Sequence, residues 1–418
     1  VNASPHPPAP VPAPVLAVAR AALAGERQAR IVLGAYLLSG TPGYRQAGVH
    51  IYAQELLRAL ARTGHALTAL VSPTAKDNLS LSSDSALDIR PASRTTERPL
   101  SRILIEQIET PCVLRTLGAV LYHGLGFVAP LRAPCATVVS VMDLSFITQP
   151  QAHKLFNRTY LRLLSRSSCR QAARVITISE WTKRDVVQHF GIPPERVAAI
   201  PLGVDHGRFK PQAPGVIAAF RAKHGISDQA IFSLGSLEPR KNLPRLIEAF
   251  AELCSQAPDL ARPGQSPAAP AQLFIGGNLA WKYGAVFARI KQLGLEGRVR
   301  LIGRVSDDDL PKWYGACAVT AYPSLYEGFG LPPLEAMACG APVVTSNTSA
   351  LPEVVGEAGL MVDPADVGAL SAALRRVLTD AAMRAQMQTR SLDQARGFTW
   401  QNTAQRTLAT YRHALGET

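Results

Sequence analysis

Paired cysteines are missing from this chain of 418 residues. Its six, Cys112, Cys135, Cys169, Cys254, Cys317 and Cys339, are scattered, with no C-x-x-C pair and no histidine at metal-ligand spacing. That pattern argues against a disulfide framework or a zinc site, and for free thiols in a reducing compartment. No apolar run approaches the length that spans a bilayer. Acidic residues are the scarcer sign, 31 against 44 basic ones, which leaves a net charge of +13. Such an excess suits an anionic partner: nucleotide phosphates, an acidic membrane surface or nucleic acid. Nucleic acid is the weakest of these, because no zinc-finger, RNA-recognition or helix-turn-helix signature is present. Also absent are the G-x-x-x-x-G-K-[ST] loop and the spaced glycines of a dinucleotide fingerprint.

The chain that remains is of ordinary globular composition, 47% hydrophobic and 18% charged. Its length exceeds one ordinary core and favours two domains. Residues 1–14 carry six prolines and no core-forming pattern. We read residues 1–30 as a disordered Pro-rich leader; the lack of an early basic segment before an apolar core speaks against a signal peptide. From Ile31 short apolar runs alternate with amphipathic stretches: IVLGAYLL, HIYAQELLRALARTG, ALTALVS, AVLYH, TVVSVMD, RVITIS and EWTKRDVVQHFG. VAAIPLGVDHGRFKP has the Pro and Gly content of a linker. A second alternation follows in AIFSLGS, NLPRLIEAFAELC, QLFIGG, VRLIG, AVTAYPS, APVVTS and GLMVD, broken by a Pro/Ala/Gln-rich surface insert. Strands alternating with helices predict an α/β fold of two Rossmann-like, doubly wound domains facing a central cleft. The expected bounds are 31–205 and 206–397, with 398–418 a helix that packs back on the N-terminal domain. In such sheets ligands bind beyond the carboxyl ends of the strands.

Candidate chemistry falls at those ends. In SLYEGFGLPPLEAMACGAPVV, Glu327 and Glu335 stand eight residues apart. Pro332 and Pro333 fit only a helix's first turn, so Glu327 belongs to the loop before the helix and Glu335 just inside it. Gly328 and Gly330 free the loop to bring backbone N–H groups to a ligand, and a helix start favours anions. The segment then holds an anion with attached hydroxyls; alternatively Glu335 only complements the helix dipole and Glu327 is solvated. Arg240 and Lys241 stand before another helix, which Asn242 is placed to cap, and suit a diphosphate. A solvated basic turn is the plainer alternative. Gly40, Gly43 and Gly48 mark a glycine-rich first loop. His123 ends AVLYH and Asp143 ends TVVSVMD, both pointing to the cleft unless His123 simply packs.

Seven segments in order, AGVHIYAQELLRAL, VVSVMDLSF, VITISEWTKRDV, IPLGVDHGRFKP, LGSLEPRKNL, YEGFGLPPLEAMACGAPVV and LPEVVGEAGLMVDP, resemble retaining nucleotide-sugar glycosyltransferases of family 4, which have the GT-B fold. Glu327 to Glu335 matches the family's E-x7-E motif. The resemblance implies that Glu335 binds the ribose hydroxyls and Glu327 the donor sugar. The backbone from Gly328 through Phe329 and Gly330 to Leu331 meets sugar and diphosphate. Arg240 and Lys241 neutralise the diphosphate, Ser236 lies among the donor contacts, and Gly48 approaches the β-phosphate. Met142 replaces the histidine that commonly precedes the aspartate, which leaves His123, or Asp143, to stand in.

The resemblance further implies a hexosyltransferase that forms an α-linkage on a glycan or lipid-linked acceptor. Its donor is a nucleotide-sugar, with GDP-mannose as our choice from the LEPRKN wording, and no metal or other cofactor is expected. A nucleotide-sugar 2-epimerase and a non-catalytic nucleotide-sugar-binding module are the rival readings. We expect a cytoplasmic location with peripheral attachment to an anionic inner membrane face. Basic residues at 154, 158, 162, 166, 170 and 174 motivate that attachment, although a solvated helix face also explains them.

Overall fold

The computed structural model describes residues 30–38, 48–76, 87–149, 155–256, 270–280 and 283–417. The Pro-rich leader, Gly40, Gly43, Lys154 and most of the Pro/Ala/Gln-rich insert lie outside them. The chain divides into two compact units, one running to Gly203 and resuming at Trp400, the other spanning Val204–Thr399.

The first unit is built on a seven-stranded sheet: β1 (Arg30–Ala35), β2 (Leu67–Val71), β3 (Leu87–Pro91), β4 (Ala119–Gly124), β5 (Ala136–Val141), β6 (Arg174–Thr177) and β7 (Val197–Ala199). Their order is β3-β2-β1-β4-β5-β6-β7, and every pairing is parallel. A parallel sheet carries helices on both faces, so its central strands are apolar throughout. LTALV of β2 and ATVVSV of β5 are accordingly buried at every residue. Two strands escape the sequence reading, for opposite reasons. β3, LDIRP, is a half-exposed edge without an apolar run. β7 is three residues long and sits where the composition suggests a linker; it is the last strand of the sheet.

Helix Gly48–Ala61 buries Tyr52, Leu56, Leu57 and Leu60 along one stripe. Helix Glu180–Phe190 starts where the Ser179 hydroxyl accepts from the Thr182 amide and stops at left-handed Gly191. Helix Trp400–Ala414 also belongs to this unit: Thr403 donates to the Pro201 carbonyl at 2.8 Å and Arg406 to the Ala199 carbonyl at 2.7 Å. The basic helix is shorter than the row of charges suggests. It runs Leu155–Gln171, and Arg174 opens β6 instead.

The second unit has six parallel strands: β8 (Ala230–Leu234), β9 (Gln272–Gly276), β10 (Val299–Gly303), β11 (Val319–Tyr322), β12 (Val343–Ser346) and β13 (Leu360–Val362), ordered β10-β9-β8-β11-β12-β13. All six coincide with apolar runs visible in the sequence. The order reverses between β8 and β11, so their carboxyl ends open a crevice of the kind that binds ligands in doubly wound sheets. Gly277 shapes the neighbouring turn at φ +143°; a Cβ there would lie 2.0 Å from the Gly235 carbonyl oxygen. Only glycine lets the two turns touch.

Candidate active site

The chain leaves β8 through Gly235 and Ser236 and makes a tight turn, Pro239–Lys241. It leaves β11 through a loop that ends at Gly330, where helix Leu331–Ala338 begins. Pro332 and Pro333 occupy the helix's first turn, as the sequence requires. Gly330 has φ +117°, and a Cβ on it would come within 2.8 Å of Leu351. The Phe329 ring is buried against Phe398, with centroids 6.0 Å apart, so this residue offers a ligand its backbone rather than its ring. Leu331, the first residue of the helix, is buried as well.

Glu327 is where the two turns meet. One carboxylate oxygen accepts from Arg240 at 2.7 Å, and the other from Lys241 Nζ at 2.7 Å and from the Tyr322 hydroxyl at 3.0 Å. Its own amide donates to Ser349 Oγ at 3.0 Å. Arg240 also donates to Glu238 at 2.8 Å and to the Tyr326 carbonyl at 3.0 Å. Lys241 lies 4.8 Å above the Tyr322 ring. Burial works to raise the Glu327 pKa, but Arg240 and Lys241 outweigh it and hold it at about 2. Burial and Arg240 lower that of Lys241. Glu327 is therefore not solvated, and Arg240 and Lys241 do not form a free basic turn. The three hold one another, with Glu238 and Tyr322 as further partners.

Glu335 lies in the second turn of the helix, only 6% exposed. The Tyr314 hydroxyl donates to its Oε2 at 3.0 Å. Burial raises its pKa to about 7, against the lowering effects of Tyr314 and Arg208. One segment thus carries a carboxylate fixed as an anion and another that exchanges its proton near neutrality, a separation typical of functional sites.

Sequence reasoning misses Glu238, Tyr314, Tyr322 and Ser349. Tyr322 closes the AVTAYPS strand and Glu238 sits within LEPRKN, so both had a positional signal. Tyr314 and Ser349 are brought in by packing and had none. Asn242 does not act as the simple cap expected of it. Its backbone is left-handed at φ +58°, and its side chain donates to the Pro364 carbonyl at 2.7 Å and accepts from Arg245 at 2.9 Å.

Three candidates belong to the first unit. Gly48 is the exposed first residue of its helix, and among the described residues nothing lies within 4 Å of where a Cβ on it would sit. Asp143 is half-buried, and its Oδ1 accepts from the Ser145 amide at 2.9 Å, opening the short helix Ser145–Thr148. Of the two readings of His123, cleft-facing or packed, its surroundings here match the packed one. It has no exposed surface, Nδ1 lies 2.7 Å from the Tyr411 hydroxyl, and Nε2 lies 2.7 Å from Ser140 Oγ. Ser140 is held in turn by Tyr52 at 2.7 Å. Burial pulls the imidazole pKa down to about 3, so the ring is neutral with both nitrogens occupied. It ties β4 directly to helix Trp400–Ala414 and to β5, and through Ser140 to helix Gly48–Ala61. Met142 beside β5 is buried too.

Among the described residues no cluster of three or more His, Cys, Asp or Glu is placed to hold a metal ion. Nor is any helix there long and apolar enough to cross a membrane.

Comparison with known proteins matches this organisation. The profile described as Glycosyltransferase Family 4 covers residues 47–208, and that of Glycosyl transferases group 1 covers 216–393. The O-antigen chain mannosyltransferase B of Escherichia coli is 34% identical over 300 residues, which are 72% of this chain and 76% of that one. The chain belongs to glycosyltransferase family 4. This family 4 glycosyltransferase is also 34% identical to the serotype-specific mannosyltransferase WbdA of Escherichia coli over 253 residues, which are 59% of the chain but 29% of that longer protein. Among solved structures, Anabaena Alr3699/HepE in complex with UDP and glucose superimposes with a TM-score of 0.70 at 20% identity, covering 91% of this chain and 99% of that one. The fold is GT-B.

Proposed function

We propose that this glycosyltransferase is a retaining hexosyltransferase that moves mannose from GDP-mannose to a hydroxyl of a glycan or lipid-linked acceptor, forming an α-glycosidic bond. The observation that carries this reading is the cluster of Glu327, Arg240 and Lys241 at the start of helix Leu331–Ala338. Two cations and a helix N-terminus converge there, at the carboxyl ends of β8 and β11. The mannosyltransferase relatives favour mannose as the sugar.

In this reading Arg240 and Lys241 take the donor diphosphate. Besides Glu327, Arg240 donates to Glu238 and the Tyr326 carbonyl and Lys241 to the Tyr322 hydroxyl, so the diphosphate takes over part of the donor set these partners now hold. Glu327 orients the sugar hydroxyls, Glu335 accepts from the ribose hydroxyls, and the backbone of Gly328–Leu331 lines the space between, with Ser236 alongside. The bond from the sugar's anomeric carbon to phosphate oxygen breaks with its electron pair moving to the phosphate. The acceptor oxygen bonds to that carbon from the same face, and its proton passes to the departing phosphate. Charge grows on the leaving group as this happens, so fixed cations and a helix dipole aimed at it make the largest electrostatic contribution. Arg240 and Lys241 supply that charge, and the proposal includes no metal ion or cofactor. It puts the enzyme in the reducing cytoplasm, where its free cysteines persist.

The test incubates the enzyme with GDP-mannose, with and without an acceptor glycan. Release of GDP that depends on acceptor, with an α-linked product by NMR, is the expected result. Conversion of the donor without acceptor indicates a 2-epimerase, and binding without turnover a binding module. Transfer from a UDP-hexose but not GDP-mannose reassigns the donor.

A further inference from the structure

A recess of about 460 Å³ opens in the second unit beside the Arg240 turn, and Glu327 is not among its walls. Two helices and two loops build it. Arg245 and Glu248 come from helix Leu243–Gln256, Arg289 from helix Gly284–Gln292 and Tyr283 from the residue before that helix. Glu238 and Leu325 come from the loops after β8 and β11. The polar walls are held in place. Arg289 pairs with Glu248 at 2.9 Å and donates to Gln292 at 3.0 Å, and Arg245 donates to Asn242 at 2.9 Å. Tyr283 is 40% exposed, and its ring stands edge-on to Phe287 with centroids 6.0 Å apart. A concave site with an apolar surface and a few fixed polar groups is the usual make-up of a small-ligand pocket. The lining chooses the ligand. Its charged members are Arg245, Arg289, Glu238 and Glu248, so the two signs cancel and neither an anion nor a cation is favoured. What remains is planar donor forks beside carboxylate acceptors, which suit vicinal hydroxyls, and an exposed flat ring, which suits the C–H face of a sugar.

We propose that this recess binds a neutral oligosaccharide, as a subsite for the acceptor glycan apart from the donor site. Tyr283 stacks on one sugar ring, and Arg245, Glu248 and Arg289 bond its hydroxyls. The recess adjoins the donor chemistry through two contacts. Glu238 lines it and accepts from Arg240 at 2.8 Å, and the Leu325 amide donates to the Arg240 carbonyl at 2.9 Å. A glycan held there lies against the turn that carries the proposed diphosphate cations. The inference rests on the reading of a glycan acceptor, and it needs neither a particular donor sugar nor a particular base.

The test titrates the full chain, without donor, with α-linked mannotetraose and with maltotetraose, followed by ligand-observed NMR. The parent protein is expected to bind at least one of them. Tyr283→Ala should weaken that binding about tenfold, because the stacking surface is lost. Arg245→Ala should weaken it about fivefold through lost hydrogen bonds to hydroxyls. Melting temperature and GDP-mannose affinity of Tyr283→Ala should match the parent's. Because the titration contains no donor, failure of the GDP-mannose reading leaves its result standing, and loss of glycan binding leaves the donor reading standing. Binding of neither tetrasaccharide by the parent, or equal binding by Tyr283→Ala and Arg245→Ala, overturns the proposal. So does binding of inorganic phosphate that Arg245→Ala abolishes while both tetrasaccharides stay silent, since the recess is then an anion site.

Discussion

Glu327 and Glu335 are 7% and 6% exposed and belong to one loop-and-helix segment, yet they hold protons in opposite ways. Burial raises the pKa of both. Around Glu327 that effect is overcome by Arg240 and Lys241, each at 2.7 Å, and the carboxyl stays at about 2. Around Glu335 the direct partner is the Tyr314 hydroxyl at 3.0 Å, and the pKa rises to about 7. What distinguishes them is thus the charge of the neighbours, not depth. The contrast extends to stability. Glu327 binds its proton less tightly folded than unfolded, so its stabilising contribution is present above the usual 4.5 and fades as pH falls toward about 2. Glu335 binds its proton more tightly folded, so its contribution is present below 4.5 and fades as pH rises through about 7.

The largest break in this contrast comes from stripping Glu327 of its counter-charges. Arg240→Ala with Lys241→Ala leaves a buried carboxylate without a cation and should cost about 3–5 kcal/mol of stability in a urea titration. Adding Glu327→Gln to that pair should recover much of the loss, since no charge is then left buried. Recovery absent from the triple variant would mean that the cluster's worth lies elsewhere.

Glu335→Ala ranks next. It should weaken GDP-mannose binding by about 1.5–3 kcal/mol in calorimetry while the fold survives. Affinity equal to the parent's would remove the ribose role.

His123→Ala supplies a comparison of another kind, between a polar group built into a core and one built into a site. Loss of the ring leaves Tyr411 and Ser140 short of a buried partner, so stability should fall by about 1–3 kcal/mol. With the imidazole pKa at about 3, no histidine protonation step should appear in activity between pH 5 and 8 from this residue. A variant as stable as the parent but with much slower transfer would restore His123 to the catalytic apparatus.

Tyr322→Phe should have the smallest effect, about 0.5–1.5 kcal/mol, because Glu327 keeps both cations when it loses one hydroxyl. Thermal melts of that variant and the parent would check it.

Much of the second unit was legible because its chemistry is local. Glycines, prolines and charges at strand ends mark turns whose geometry those residue types dictate, and all six strands are apolar runs. What the sequence did not carry was pairing at a distance. That Glu327 takes up Arg240 and Lys241 depends on β8 and β11 being neighbours, across more than 80 intervening residues. The same limit left the two readings of His123 open: what fills its surroundings is Tyr411, returned by helix Trp400–Ala414 from 288 residues away. The strands β3 and β7 were hidden because an edge strand needs no apolar run and a three-residue strand barely leaves a pattern.

The central claim, that neighbours rather than burial set the two glutamates' tasks, is tested most directly by the pH dependence of GDP-mannose affinity, compared between the parent and Glu335→Gln. The donor's diphosphate is esterified at both ends and does not itself titrate near neutrality. Affinity in the parent should rise as pH passes upward through about 7, when Glu335 loses its proton and becomes the better acceptor for ribose hydroxyls. The rise should be absent in Glu335→Gln. A profile of the same shape in both proteins, or one that falls with pH in the parent, would contradict the account.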